Sequence, residues 1–169
     1  FEMMESSIHK LDETVKEILD YSRNARQNLT IEKIDLNKMI SDNFEKMKFM
    51  RGSEKITHEV TVNENSPFYS DSYRLSVIFN NLVSNAIKYS DPSKENSFIR
   101  ISADVSKEFA VLEFSDNGIG IDERYLNKVF DMFFRGTDQN KGAGLGLYIV
   151  KEAIEKLRGN ISVESRIGG

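Results

Sequence analysis

The chain has 169 residues and is 39% hydrophobic, which is enough apolar material for one good core and predicts one domain with an appended segment. Its formal net charge of −4 supplies no basic field, which argues against nucleic acid as a partner. The absence of cysteine excludes disulfides and thiolate metal sites and favours the cytoplasm. No apolar run reaches the about 18 residues needed to span a bilayer, and we expect a fragment whose membrane attachment lies only in absent upstream segments.

The first element is predicted from apolar or small residues at alternating spacings of three and four. These residues are Phe1, Met4, Ile8, Leu11, Val15, Ile18, Ser22 and Ala25. Such a heptad seam predicts one long helix over residues 1–27 that packs in a bundle or coiled coil and favours oligomerisation. We therefore divide the chain into a helical segment, 1–28, and a globular domain, 29–169.

The globular domain alternates predicted strands and helices. Asp35 is the expected N-cap of a helix that carries Leu36, Ile40, Phe44 and Met47, and Asp71 that of a helix over 72–89. Alternating patterns predict strands at 29–35 and 56–62 and a hairpin of 98–105 with 109–115. A short helix is expected after Asp122, a longer one over 145–157, and a last strand that starts within 160–165.

A polar face of the 72–89 helix is the first candidate site. Asn81, Asn85 and Lys88 lie three or four residues apart in Asn81-Leu-Val-Ser-Asn85-Ala-Ile-Lys88-Tyr89. The carbonyl of Asn85 is a hard oxygen ligand of the kind that Mg²⁺ prefers beside substrate phosphates. The simpler interpretation is a solvated asparagine without a role.

Two glycine loops follow. In Asp116-Asn-Gly118-Ile-Gly120 the carboxylate can accept a hydrogen bond from an amino group such as adenine N6, although such a loop alone is more often a tight turn. Gly142-Ala-Gly144-Leu-Gly146-Leu147 opens a helix, whose free N–H groups form an anion site. Its glycine spacing and late position argue against a dinucleotide-binding fold.

In this order the motifs resemble the Bergerat-fold ATP-binding domain of sensor histidine kinases, Hsp90 chaperones, type II topoisomerases and MutL repair proteins (the GHKL superfamily). Asn81–Tyr89 is similar to the N box of the histidine kinases, Asp116–Gly120 to the G1 box, Phe130–Arg135 to the F box and Gly142–Leu147 to the G2 box. The resemblance covers roughly residues 30–168. It implies an α+β fold: a two-layer α/β sandwich with a mixed sheet and helices on one face, preceded by one long helix.

The resemblance also implies cofactors, ATP and Mg²⁺, and residue roles. Asn85 would hold Mg²⁺, Asp116 would fix adenine, and Tyr89 would lie near the nucleotide. The phosphates would meet Asn81, Lys88, Arg135 and the second glycine loop, with Gly142, Gly144, Leu145, Gly146 and Leu147. Gly118 and Gly120 let the backbone approach the ring. Lys141 is either a phosphate contact or a solvated charge.

The helix over 1–27 resembles the second helix of the histidine kinase dimerisation and phosphotransfer hairpin, on the sequence Leu19-Asp-Tyr21-Ser22-Arg23. The first helix, with the phosphoacceptor histidine, is absent, so no catalytic residue is expected here. His9 is interpreted as a surface histidine and His58 as a strand residue. The phenylalanines at 130, 133 and 134 are interpreted first as core aromatics, with partner docking as the alternative.

The resemblance implies an ATP-dependent protein-histidine kinase that forms a homodimer and relays phosphate to a response-regulator receiver domain, with the fragment alone inactive. Asn81 stands where hydrolytic relatives carry a glutamate that activates water, which favours phosphoryl transfer. The alternatives are a nucleotide-regulated binding module without catalysis and a hydrolytic ATPase. A final strand of the family, Gly-Thr-x-Phe, is missing after Gly168-Gly169.

Overall fold

The computed structural model describes residues 2–136 and 143–168. The helices are α1 (Glu2–Arg26), α2 (Leu36–Met47), α3 (Ser72–Lys88) and α4 (Gly146–Lys156), and short 3₁₀ turns cover Ser53–Lys55 and Glu123–Lys128. The strands are β1 (Ile31–Lys33), β2 (Ile56–Glu64), β3 (Tyr69–Asp71), β4 (Ser97–Val105) and β5 (Ala110–Asp116). No helix in these two ranges is long and apolar enough to cross a membrane.

The main sheet is mixed, as predicted, with the strand order β2-β4-β5. β2 runs parallel to β4, from the pair Ile56 and Ser97 to the pair Glu64 and Val105. β4 and β5 form the predicted antiparallel hairpin. Because β4 lies between two partners, its side chains alternate strictly between a buried and a more open face.

The core lies between the buried face of the sheet and three helices. Ile99 and Ile101 of β4 pack there against Phe79 and Val83 of α3, with Ile40 from α2. The Phe79 ring meets Phe114 of β5 edge to face, with centroids 4.9 Å apart. The domain is therefore the predicted two-layer arrangement with its helices on one face.

Both predicted helix caps are present. The Asp35 carboxylate accepts a hydrogen bond from the backbone N–H of Lys38, 2.9 Å away. Asp71 accepts one from the N–H of Arg74, also at 2.9 Å. These bonds satisfy donors that the first helical turn leaves without an intrahelical acceptor.

Helix α1 forms over almost all of the predicted range, and its apolar seam faces outward. Ile8, Leu11, Val15 and Ile18 are all exposed. Only the C-terminal end of α1 packs against the domain among the described residues, through Tyr21 and the buried Asn24. The side chain of His9 lies outside the described part of the chain.

One strand of the structure was not predicted, and one predicted strand does not form. The loop before α3 contains β3, which pairs with β1 in a separate two-stranded sheet and was hidden by the polar sequence around it. The segment 160–165 forms no strand. It joins the loop after β5 through isolated bonds, from Ile121 N–H to the Ser165 hydroxyl at 2.8 Å and from Gly168 N–H to the Ile119 carbonyl at 3.1 Å, and two scattered bonds do not make a ladder.

The prediction of core aromatics fails at Phe133, which is 64% exposed. Its backbone is left-handed, with φ at +63°, and its carbonyl carbon would lie 2.9 Å from a Cβ at Gly144. The backbone of Phe133 therefore packs inward while its ring points to solvent. Phe130 and Phe134 are half-buried, and the Phe134 ring lies 5.6 Å from that of Tyr125.

Candidate functional site

The polar face of α3 lies against the start of α4. The Asn81 side-chain N–H donates to the Val77 carbonyl at 2.8 Å, which leaves its amide oxygen turned outward. A Cβ placed on Gly146 would lie 2.9 Å from that oxygen and 3.9 Å from the amide nitrogen of Asn85. A side chain at position 146 would therefore force the Asn81 amide to shift, so glycine lets the two groups lie close together.

The first glycine loop is joined to the end of α3. Ile119 N–H donates to the Tyr89 carbonyl at 3.0 Å, and Gly118 N–H donates to the Asp116 carboxylate at 2.8 Å. A Cβ on Gly118 would lie 2.4 Å from the Tyr89 carbonyl oxygen. The absence of a side chain at Gly118 thus serves first to bring this loop against α3.

Gly120 has a second packing role. Its φ is +73°, and a Cβ would lie 1.9 Å from the backbone carbonyl oxygen of Arg166. Only glycine meets both conditions, because left-handed backbone is strained with a side chain and the opposing atom belongs to the main chain. The C-terminal segment is therefore held against the first glycine loop.

The second glycine loop leads from the aromatic segment into α4. Gly144 has φ +74°, and a Cβ there would lie 2.6 Å from the Phe134 carbonyl oxygen. Leu145 is buried and precedes α4, which begins at Gly146 without any side-chain cap. The first N–H groups of this helix, including that of the half-buried Leu147, are thus left for an outside acceptor. Gly142 and Lys141 lie outside the described residues.

The structure thus brings together the end of α3, the first glycine loop and the start of α4. Asp116 uses one carboxylate oxygen for Gly118 and its side chain is exposed. No residue in 2–136 or 143–168 forms a hydrogen bond with the Asn85 amide, which is half-buried. Free acceptors and free backbone donors therefore lie on one side of the domain.

Comparison with known proteins identifies the fold and family. Residues 70–169 match the family described as histidine kinase-, DNA gyrase B- and HSP90-like ATPase. The chain belongs to this family. Together with its similarity to sensor proteins, this match identifies the globular part of the chain as the catalytic ATP-binding domain of a sensor histidine kinase. This part, residues 29–169, is called the ATPase domain below.

One relative and two solved structures of similar fold show the extent of the match. The sensor protein RprX of Bacteroides fragilis is 34% identical over 161 residues, which cover 90% of this chain and 31% of RprX. The histidine kinase AdeS of Acinetobacter baumannii has the same fold, with a TM-score of 0.78 at 23% identity over 99% of this chain and 78% of that one. The structure of full-length ShkA in complex with AMPPNP matches with a TM-score of 0.76 at 24% identity. The match covers 92% of this chain and 33% of the ShkA chain.

Among the described residues of the ATPase domain, no group of three or more His, Cys, Asp or Glu side chains is placed to hold a metal ion. The amide oxygen of Asn85 is the ligand that the sequence predicts. Asn85 lies near the start of α4, where its amide nitrogen is 3.9 Å from a Cβ placed on Gly146. An amide oxygen is a hard neutral ligand, so the chemistry of this residue fits Mg²⁺ carried by phosphates.

A separate groove of about 370 Å³ lies between α2 and α3 on another side of the ATPase domain. Its floor includes Phe79, and its walls include Asn43 and Asn80, whose side chains share a hydrogen bond of 2.6 Å. It contains none of the predicted nucleotide-binding residues. We assign no function to this groove, and it is the alternative place at which a nucleotide could bind.

A buried polar cluster at the start of α3 was missed by the sequence analysis. Arg74 is 1% exposed and forms an ion pair of 2.7 Å with Asp71. Burial pushes the pKa of Asp71 up, but N–H donors from Thr30 and Arg74 and the Arg74 charge outweigh it and hold that pKa below its usual value. An arginine three residues after an N-cap, within an apolar pattern, was the available signal.

Proposed function

We propose that this chain binds Mg-ATP between the polar face of α3, the first glycine loop and the start of α4. The observation that carries this proposal is the contact between Asn81 and Gly146, which sets the N-terminal donors of α4 beside the free amide of Asn85. A helix start and neutral oxygen ligands together suit a polyphosphate with its cation.

Each group then has a distinct task. Asn85 would hold the Mg²⁺, and the N–H groups from Gly146 and Leu147 onward would receive phosphate oxygens. Asp116 would accept a hydrogen bond from the adenine amino group through the carboxylate oxygen that Gly118 does not use. Lys88, Tyr89 and Arg135 are proposed to complete the phosphate and ring contacts. When bound, the nucleotide supplies the phosphoryl group and the metal offsets its charge.

We propose transfer rather than hydrolysis. The Asn81 side-chain nitrogen is engaged with the Val77 carbonyl, and an amide oxygen cannot take a proton from water at neutral pH. The site would therefore hold ATP intact until an acceptor arrives. The proposed acceptor is a histidine on the other helix of the phosphotransfer hairpin, from which phosphate passes to a response-regulator aspartate.

The proposed partners follow from this role. The exposed seam of α1 would pair within a homodimeric bundle, and a receiver domain would dock to take the phosphate. We propose a cytoplasmic location, where ATP is available. RprX is a sensor protein of about three times the matched length, so the chain spans about a third of this relative.

Calorimetric titration of the chain with AMPPNP and Mg²⁺ tests the pocket. We expect a Kd between about 1 µM and 1 mM for the parent and at least about tenfold weaker binding for Asn85→Ala. Asn63→Ala is the matched control, because Asn63 is an exposed asparagine of β2 whose side chain bonds Asp104, away from the proposed site. Equal affinity of all three proteins would refute the proposed role of Asn85.

A further inference from the structure

The end of α1 is attached to the ATPase domain by one buried guanidinium. Arg74 Nε–H donates to the Asn24 side-chain oxygen at 2.9 Å. Its Nη2 donates to the Asn24 carbonyl at 3.1 Å and to the Gln27 carbonyl at 2.6 Å. Arg74 therefore occupies main-chain acceptors that the C-terminal end of α1 leaves without intrahelical donors.

The same side chain is fixed from the other direction. Its Nη1 donates to the Asp71 carboxylate at 2.7 Å, and that carboxylate also accepts N–H bonds from Thr30, which follows α1, and from Arg74 itself. The charge of Arg74 is thus neutralised by the N-cap residue of its own helix, while its Nε and Nη2 bond the end of α1 and the turn that follows it. A planar guanidinium is rigid, so these bonds together define a direction as well as a distance.

The attachment has a large mechanical consequence. With 25 residues, α1 is about 37 Å long, yet its described contacts with the domain lie near its C-terminal end. Besides Arg74 these are the bond from the Tyr73 hydroxyl to Asp20 at 3.1 Å and the approach of the Tyr21 and Tyr148 rings at 5.9 Å. A small rotation at this end would move the exposed seam by many ångströms.

We propose that Arg74 is a positioning residue that sets the angle between α1 and the ATPase domain. The importance of this angle for phosphoryl transfer rests on the proposed function, because the angle sets the position of the proposed nucleotide site relative to the helical bundle. The bonds that hold α1 involve none of the residues proposed to bind nucleotide. Failure of ATP binding and failure of this inference are therefore separate observations.

The test measures the angle directly, through the distance between spin labels on the two parts. Lys16→Cys on α1 and Glu113→Cys on β5 place the labels at exposed positions, and the parent sequence contains no other cysteine. Arg74→Lys keeps a positive charge beside Asp71 but replaces the fork with a single ammonium that cannot reach all four acceptor atoms, which belong to Asn24, Gln27 and Asp71. Arg100→Lys is the control, since Arg100 pairs with Glu59 on the exposed surface.

Pulsed electron resonance on the doubly labelled chain should show one narrow distance in the parent and in Arg100→Lys. We expect Arg74→Lys to lose it and give a broad distribution, with AMPPNP affinity unchanged. Asn24→Ala, which retains the Arg74–Asp71 pair, should also broaden the distance distribution. If Arg74→Lys does not fold, Asn24→Ala is the variant that decides the test. A narrow, unshifted distance in a folded Arg74→Lys or in Asn24→Ala would overturn the proposal and leave Arg74 a stabilising residue only.

Discussion

At the scale of single residues, the glycines of the site are explained by backbone packing. Gly118 meets the Tyr89 carbonyl, Gly120 meets that of Arg166, and Gly144 meets that of Phe134. The sequence analysis attributed the first two to the approach of a nucleotide ring. The structure gives these glycines a role without a ligand, because each allows two segments of the chain to meet within the site.

Gly120→Ala should destabilise the domain more than Gly52→Ala. Both positions have left-handed backbone, with φ at +73° and +96°, so both substitutions incur strain of about 1–3 kcal/mol. A Cβ at Gly52 meets nothing within 4 Å, whereas at Gly120 it meets the main chain of Arg166. Urea unfolding measures the difference, and equal losses in the two variants would show that the contact with Arg166 is unimportant.

The buried pair of Asp71 and Arg74 predicts a dependence of stability on pH. Because the pKa of Asp71 is lowered in the folded state, the unfolded state binds more protons in acid. The stabilisation is complete above the unfolded pKa of about 3.9 and is lost as the pH falls through the folded value.

Urea unfolding of the parent and of Asp71→Asn between about pH 3 and pH 7 checks this dependence. Loss of the Asp71 charge leaves a buried arginine unpaired, so we expect a cost of about 3–5 kcal/mol near neutral pH. The difference between the two proteins should be constant above about pH 5 and shrink below about pH 4. A difference that stayed constant throughout would contradict the lowered pKa.

At the scale of elements, α1 exposes an apolar seam that is not covered by the described part of the domain. Leu11 and Val15 belong to its exposed seam and are 67% and 48% exposed. Apolar heptad positions of this kind are normally buried between helices. We predict that the chain self-associates through α1 as its concentration rises.

Sedimentation analysis tests this with glutamine substitutions on the same helix. Leu11→Gln and Val15→Gln should keep the chain monomeric at concentrations at which the parent dimerises, since they remove apolar surface from the seam. Lys16→Gln is the control at an exposed position outside the seam. Dimerisation that survives both seam substitutions would mean that another surface associates.

The elements that were predicted correctly carry local signals. Helices α1 to α4 have apolar periodicity, the caps Asp35 and Asp71 precede two of them, and the β4–β5 hairpin alternates around a short turn. β3 has only three residues, and it pairs with β1, whose Ile31 is the register partner of Asp71, 40 positions away in the sequence. No local pattern encodes such a pairing.

The missing last strand and the exposed ring of Phe133 have related causes. Alternation in 160–165 indicates a strand, but a strand forms only where a partner continues the ladder, and here two isolated bonds replace it. Phe133 is apolar, yet its left-handed backbone decides where the ring points. The motifs of the proposed site were predictable. The sequence marks Arg74 only as an unusual residue and does not indicate its partners in α1, because these acceptors lie about 50 residues away.

At the scale of the whole molecule, one face of the ATPase domain gathers segments that are far apart in the chain. The end of α3, the first glycine loop and the start of α4 meet through the contacts of Tyr89 with Gly118 and of Asn81 with Gly146. The same domain holds α1 at a defined angle through Arg74. The proposed nucleotide site and the attachment of α1 therefore both include residues of α3.

Nuclear magnetic resonance of the isotopically labelled 19.4 kDa chain, titrated with AMPPNP and Mg²⁺, tests the central claim most directly. The account predicts that the largest changes appear at the backbone amides of Gly118, Gly146 and Leu147 and at the side-chain amide of Asn85. Changes concentrated instead at the side chains of Asn43 and Asn80, in the groove between α2 and α3, or no change at all, would contradict it.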